Sequence, residues 1–98
     1  MKIEWDAVKD QVNREKHGLP FREAAALFTS GVDYLLIFDE AHSNDEDRFI
    51  AVGPIRRGVI VIVFTERDED VMRIVSARMA TRNERRRYRQ HEETNRDR

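Results

Sequence analysis

The sequence predicts an α+β domain, a small antiparallel sheet of four strands flanked by two N-terminal helices and one C-terminal helix, in the order α-α-β-β-β-β-α. Three observations carry this. Hydrophobic residues recur at helical spacing before residue 30. From Val32 to Arg78, runs of β-branched and aromatic residues alternate with short polar turns. A helix-start signature then returns at Thr81.

Asp6 suits a helix N-cap, Val8 and Val12 are four apart, and Gly18 offers a left-handed stop after Lys16 and His17, so the first helix spans residues 6 to 17. Pro20 suits the first turn of the second helix, whose Phe21, Ala24, Ala25 and Phe28 share one face, with Gly31 as the stop. The strands follow as VDYLLIFD, RFIAVGPI, VIVIVFT and VMRIVSAR, separated by EAHSNDED, by Arg57-Gly58 and by RDED. The run Val59 to Phe64 is apolar at every position, which predicts a strand covered on both faces. Thr81 and Glu84 have the capping-box spacing, so the last helix starts at Arg82 and runs toward His91. Residues 1–91 form one domain, and EETNRDR, residues 92–98, has no apolar anchor and is expected to fray.

A chain of 98 residues buries one core, and its 38% charged residues leave a highly charged surface. The absence of cysteine excludes disulfides, thiolate metal sites and cysteine nucleophiles, and fits a reducing compartment; with no apolar run long enough to cross a bilayer and no signal-peptide core, the cytoplasm is the expected location. The net charge of −1 hides a polarity. Residues 1–70 carry 3 Lys and 6 Arg against 15 acidic residues, a net of −6, whereas residues 71–98 carry 9 Arg against 4, a net of +5. A polyanion responds to that local field, so the basic end is the expected footprint of nucleic acid.

No glycine-rich phosphate loop is present, and His17, His42 and His91 lie in separate segments, so neither a nucleotide cofactor nor a metal is expected. The acidic loop of residues 39–47 lacks the glycine and final glutamate of a calcium-binding loop and reads as a solvated connection. Strict alternation along residues 71–78 sends Arg73 and Arg78 to opposite faces, with Glu66 or Asp39 as partner for whichever is buried. Arg82, Arg85, Arg86 and Arg89 form one stripe of the last helix, with Tyr88 beside it. Guanidinium forks hold phosphates, and a tyrosine stacks on an unpaired base or transfers a proton, a combination that suits RNA; a solvated basic helix or one that meets an acidic protein fits the same composition. His17 is a general acid or base by residue type, or a histidine at the negative end of a helix dipole.

In order along the chain, WDAVKDQVNREKHGLPFREAAALF, DEAHSNDEDRFIAVG, VFTERDED and RIVSARMATRNERRRY resemble the BrnT family of ribonuclease toxins. The resemblance implies a RelE-like fold and a type II toxin that cuts RNA and inhibits translation. It also implies neutralisation by a BrnA-like ribbon-helix-helix antitoxin in a heterotetramer, with operator DNA touched only through the antitoxin and no role for a membrane. The motif residues it marks are Lys16, His17, Arg48, Glu66, Arg67, Arg73, Arg78 and Tyr88.

Metal-independent cleavage by the neighbouring 2'-hydroxyl needs a base, an acid and positive charge on the phosphorane-like oxygens. On chemical grounds the base is His17 or Glu66, Arg67 and Arg78 hold the charge with Arg73 or Arg48 in support, and Tyr88 or Lys16 positions the phosphate or supplies the acid. Arg82, Arg85, Arg86 and Arg89 bind the RNA backbone. The alternative is a non-catalytic module, a degenerate toxin that binds RNA or antitoxin without cutting.

Overall fold

The computed structural model describes residues 1–42 and 46–96. Its elements are β1 (Lys2–Trp5), α1 (Ala7–His17), α2 (Phe21–Ala24), α3 (Ala26–Thr29), β2 (Leu35–Phe38), a 3-10 turn (Glu40–His42), β3 (Arg48–Ile55), β4 (Gly58–Asp68), β5 (Val71–Met79) and α4 (Arg82–Arg96). Residues 43–45 of the acidic loop and 97–98 of the expected tail lie outside the described residues.

The α+β class and the antiparallel meander agree with the sequence, but the sheet has five strands, in the order β1-β5-β4-β3-β2. The additional strand, β1, pairs parallel to β5, from Lys2 beside Val71 to Trp5 beside Ile74. Only four residues long, it finds its partner at the far end of the chain, and no local pattern reports such a pairing. The expected second helix is two four-residue turns, α2 and α3, joined through Ala25, which keeps a right-handed helical backbone. The C-terminal helix continues past His91 to Arg96, and Asn95 Nδ2 donates to Asp33 Oδ2 at 2.6 Å.

Local chemistry sets the boundaries of α1. Asp6 accepts from the amides of Val8 and Lys9, and Gly18, at φ 69°, returns its N–H to Arg14 O. Asn13, buried on this helix, does the work of a missing strand. Beyond Trp5, β5 has lost its β1 neighbour; there Asn13 Nδ2 donates to Ala77 O at 2.8 Å and Asn13 Oδ1 accepts from Ala77 N at 3.1 Å. A second Nδ2 bond, to Leu19 O at 2.9 Å, fixes the turn into α2. The sheet edge is thereby closed by one amide.

Two cores lie on opposite faces of the sheet. Leu19, Phe21, Ala24 and Leu27 pack on Ile60, Ile62, Phe64, Met72, Ile74 and Ala77 on the first face. Val52 and Val61 pack under Ala80 and Tyr88 on the second. The apolar run of β4 is thus divided between both cores, as its composition requires. Gly53 permits the close approach of α3, because a Cβ there would lie 2.7 Å from Leu27 Cδ1 and 2.8 Å from Tyr34 Cβ.

Two bulges redirect side chains. Val63 pairs with Ser76 but Phe64 with Ile74, so Val75 is an extra residue on β5; Glu66 pairs with Met72 but Asp68 with Val71, so Arg67 is extra on β4. The Val75 bulge resets the alternation. Met72, Ile74 and Ala77 all enter the first core, which leaves Arg73, Ser76 and Arg78 together on the second face. The expectation that Arg73 and Arg78 leave on opposite faces is therefore corrected: it assumed strict period two, and the bulge breaks it.

Candidate functional site

Helix α4 covers one end of the second face, at Val52, Val59 and Val61, leaving Arg48, Val63, Thr65, Arg73 and Ser76 on the rest of it. Arg48, Thr65 and Arg73 are register neighbours across β3, β4 and β5, and Glu4 of β1 continues the row beside Arg73. Neighbouring strands are about 4.8 Å apart, so the two arginine backbones flank Thr65 across roughly 10 Å. Thr65 Oγ1 is buried between them without a hydrogen-bond partner among the described residues. Arg48 reaches Asp39, with Nε 3.8 Å from Oδ2, and Asp39 also holds His42 Nδ1 at 2.9 Å. The charge of Arg73 extends to Asp6; the Asp6 carboxyl lies below its ordinary range chiefly through the Lys9 and Val8 amides, with Arg73 adding attraction.

Beside Ser76 the face opens into a shallow groove of about 300 Å³ between α1 and β5. Val8, Val12 and Val75 contribute apolar surface, and Lys9, Lys16 and His17 supply its charged and titratable groups. Among the described residues no carboxylate lines it, although the first 70 residues are net acidic. His17 is half-buried there, and Lys16 is exposed.

Arg78 stands at the α4 end of the same strand. Its Nη1 donates to Glu84 Oε1 at 2.7 Å and its Nη2 to Glu84 Oε2 at 2.8 Å, a bidentate pair. Glu84 also closes the expected capping box: its Oε1 accepts from Thr81 N at 2.8 Å, and its own N–H donates to Thr81 Oγ1 at 3.2 Å. The Arg78 fork, with these Thr81 bonds, holds the Glu84 carboxyl down at about 2 and raises the guanidinium above its usual range. The expected partners, Glu66 and Asp39, are not the ones used. The capping-box spacing marked Glu84 in the sequence, but a partner six residues away around a strand-to-helix corner follows no helical or strand period.

Other expected site residues lie apart. Glu66 and Arg67 are exposed at the β4-β5 turn, where Arg67 Nε is 3.6 Å from Glu46 Oε2. Met72, the partner of Glu66, is six residues from Arg78 along β5, about 20 Å at strand rise, so those two groups and Arg78 do not converge on one phosphate. Tyr88 is buried in the second core with its hydroxyl donated to Asp33 O at 3.1 Å; burial, then the nearby carboxylates, raise its pKa. The phenol is thus held inside the second core rather than on the arginine-rich outer side of α4. The inner face of α4 carries Glu84, Tyr88, His91 and Asn95, the last two both against Asp33. Arg82, Arg85, Arg86 and Arg89 are exposed on its outside, as the stripe predicts, and among the described residues none has a carboxylate partner. Sequence reasoning did not single out Lys9, Thr65 or Ser76, which only the fold brings to this face.

Among the described residues, no cluster of three or more His, Asp or Glu is disposed to hold a metal ion, and no helix is long and apolar enough to cross a membrane. A family model described as "Ribonuclease toxin, BrnT, of type II toxin-antitoxin system" matches residues 5–84, a span that includes Lys16, His17, Arg48, Glu66, Arg67, Arg73 and Arg78 and stops short of Tyr88. Among solved structures, the crystal structure of the Brucella abortus ribonuclease toxin, BrnT, is similar over 84% of this chain and 99% of that one, at 26% identity and a TM-score of 0.62. No curated protein matches the sequence.

Proposed function

Because the chain belongs to the BrnT family of ribonuclease toxins of type II toxin-antitoxin systems, we propose that it cuts RNA on the sheet face that α4 leaves open, without a metal. The observation that carries this reading is the bulge at Val75, which gathers Arg73, Ser76 and Arg78 on one face beside the carboxylate-free groove of Lys9, Lys16 and His17.

In the proposed reaction the 2'-hydroxyl attacks the adjacent phosphorus, the P–O2' bond forms, and the P–O5' bond breaks to leave a cyclic phosphate and a 5'-hydroxyl. His17 takes the 2'-proton, and Lys16 positions the phosphate or supplies the proton to the leaving oxygen. Arg78 stabilises charge on the phosphorane-like oxygens, while Arg73, five residues along β5, holds a neighbouring phosphate with Arg48 in support. Glu66 and Arg67, at the distant turn, hold flanking RNA at most; the outward stripe Arg82, Arg85, Arg86 and Arg89 attracts the backbone. Translation is inhibited in the cytoplasm by this cleavage. The partner is a BrnA-like ribbon-helix-helix antitoxin in a heterotetramer, and operator DNA is met only through it.

The bidentate Arg78–Glu84 pair favours a second reading, a degenerate toxin whose arginine is purely structural. Purified protein with labelled single-stranded RNA in EDTA separates the two. Discrete new ends bearing cyclic phosphate support the ribonuclease, whereas a salt-sensitive shift of intact RNA supports binding alone.

A further inference from the structure

We propose that Glu84 is a positioning residue for cleavage: it grips one end of the Arg78 guanidinium so that the remaining edge of that group clamps an RNA phosphate. The inference rests on the ribonuclease reading above. An arginine has five N–H donors in a rigid plane. In Arg78, Nη1 uses both of its own, toward Glu84 Oε1 at 2.7 Å and Met79 O at 3.3 Å, and Nη2 uses one, toward Glu84 Oε2 at 2.8 Å. What remains is Nε–H and the outer Nη2–H. These two are parallel on one edge and match the spacing of two phosphate oxygens.

The Arg78 side chain is 38% exposed despite these three bonds, so it is held without being enclosed. Glu84 cannot swing with it, because the same carboxylate accepts from Thr81 N and the Glu84 amide is tied to Thr81 Oγ1. The capping box of α4 thereby becomes the support of a strand arginine. A long side chain so fixed loses little freedom when substrate arrives, which is the advantage of a preorganised donor.

A carboxylate beside a phosphate site also weakens the attraction for RNA, and this gives the role a signature. Glu84→Gln keeps a cap, since glutamine serves in the same box, but removes the charge and one arm of the fork. The expected result on labelled single-stranded RNA is a kcat at least tenfold lower with KM unchanged or reduced, in protein whose melting confirms that it is folded. In an Arg78→Ala background the same substitution changes kcat less than twofold, because its target is gone. Equal factors in both backgrounds, or a kcat within twofold of wild type for Glu84→Gln alone, overturn the positioning role. If Arg78→Ala cuts as wild type does, Arg78 is outside the reaction and the inference falls while the ribonuclease reading stands. If wild-type protein cuts no RNA, both fall.

Discussion

Replacing Glu84 by Gln removes the pH dependence that the Arg78 pair imposes on folding. The Glu84 carboxyl titrates at about 2 in the folded protein against 4.5 for the ordinary group. Because the folded value is the lower one, the stabilisation is complete above about pH 4.5 and is lost as pH falls toward 2. At about 1.4 kcal/mol per pKa unit the full shift corresponds to roughly 3 kcal/mol. The partner Arg78 side chain is 38% exposed, so solvent screening reduces this to about 1–2 kcal/mol. In a domain of this size that is roughly 5–15 °C of melting temperature. Urea unfolding of wild type and Glu84→Gln at pH 6 and pH 2.5 measures it. The variant should be less stable at pH 6 and should lose about 1–2 kcal/mol less than wild type on acidification. Parallel losses in the two proteins would refute the reasoning, because the pair would then contribute nothing that titrates.

Asn13→Ala deletes three buried hydrogen bonds and leaves Ala77 N–H and O without their cover, so unfolding free energy should fall by about 2–4 kcal/mol and the Ala77 amide should exchange with solvent much faster. Tyr88→Phe removes the bond to Asp33 O and the hydroxyl's contact with Glu92, so denaturant melts should show a loss of about 0.5–1.5 kcal/mol while RNA cleavage per folded molecule stays unchanged; a collapse of cleavage would place Tyr88 in the reaction. Gly53→Ala places a methyl 2.7 Å from Leu27 Cδ1 of α3 and 2.8 Å from Tyr34 Cβ, and thermal unfolding should report a cost of about 1–3 kcal/mol from this overpacking.

What was legible in the sequence was local. Asp6 and Gly18 fixed the ends of α1, Thr81 and Glu84 fixed the start of α4, and the arginine stripe emerged on the outside of that helix. The apolar run of β4 announced a strand between two layers. The misses share a physical cause, since each depends on contacts between distant segments. β1 is defined only by its pairing with β5, and the Val75 bulge exists only in relation to β4. That single extra residue decides the geometry of the site, because without it Arg73 and Arg78 would face opposite layers. Tyr88 sits beside the basic cluster in sequence, and the helical period turns its ring inward, where its hydroxyl meets Asp33 O.

The central claim is that cleavage takes place at the open face beside the α1 groove and not at the β4-β5 turn. The most direct measurement is the initial rate of RNA cleavage in EDTA by His17→Gln and Glu66→Gln, each compared with wild type at matched folded concentration. His17→Gln should lose about 10²- to 10⁴-fold with its melting temperature unchanged, the range of a general base, while Glu66→Gln loses less than about tenfold. The reverse order, with Glu66→Gln crippled and His17→Gln active, would contradict the account and move the reaction to the turn.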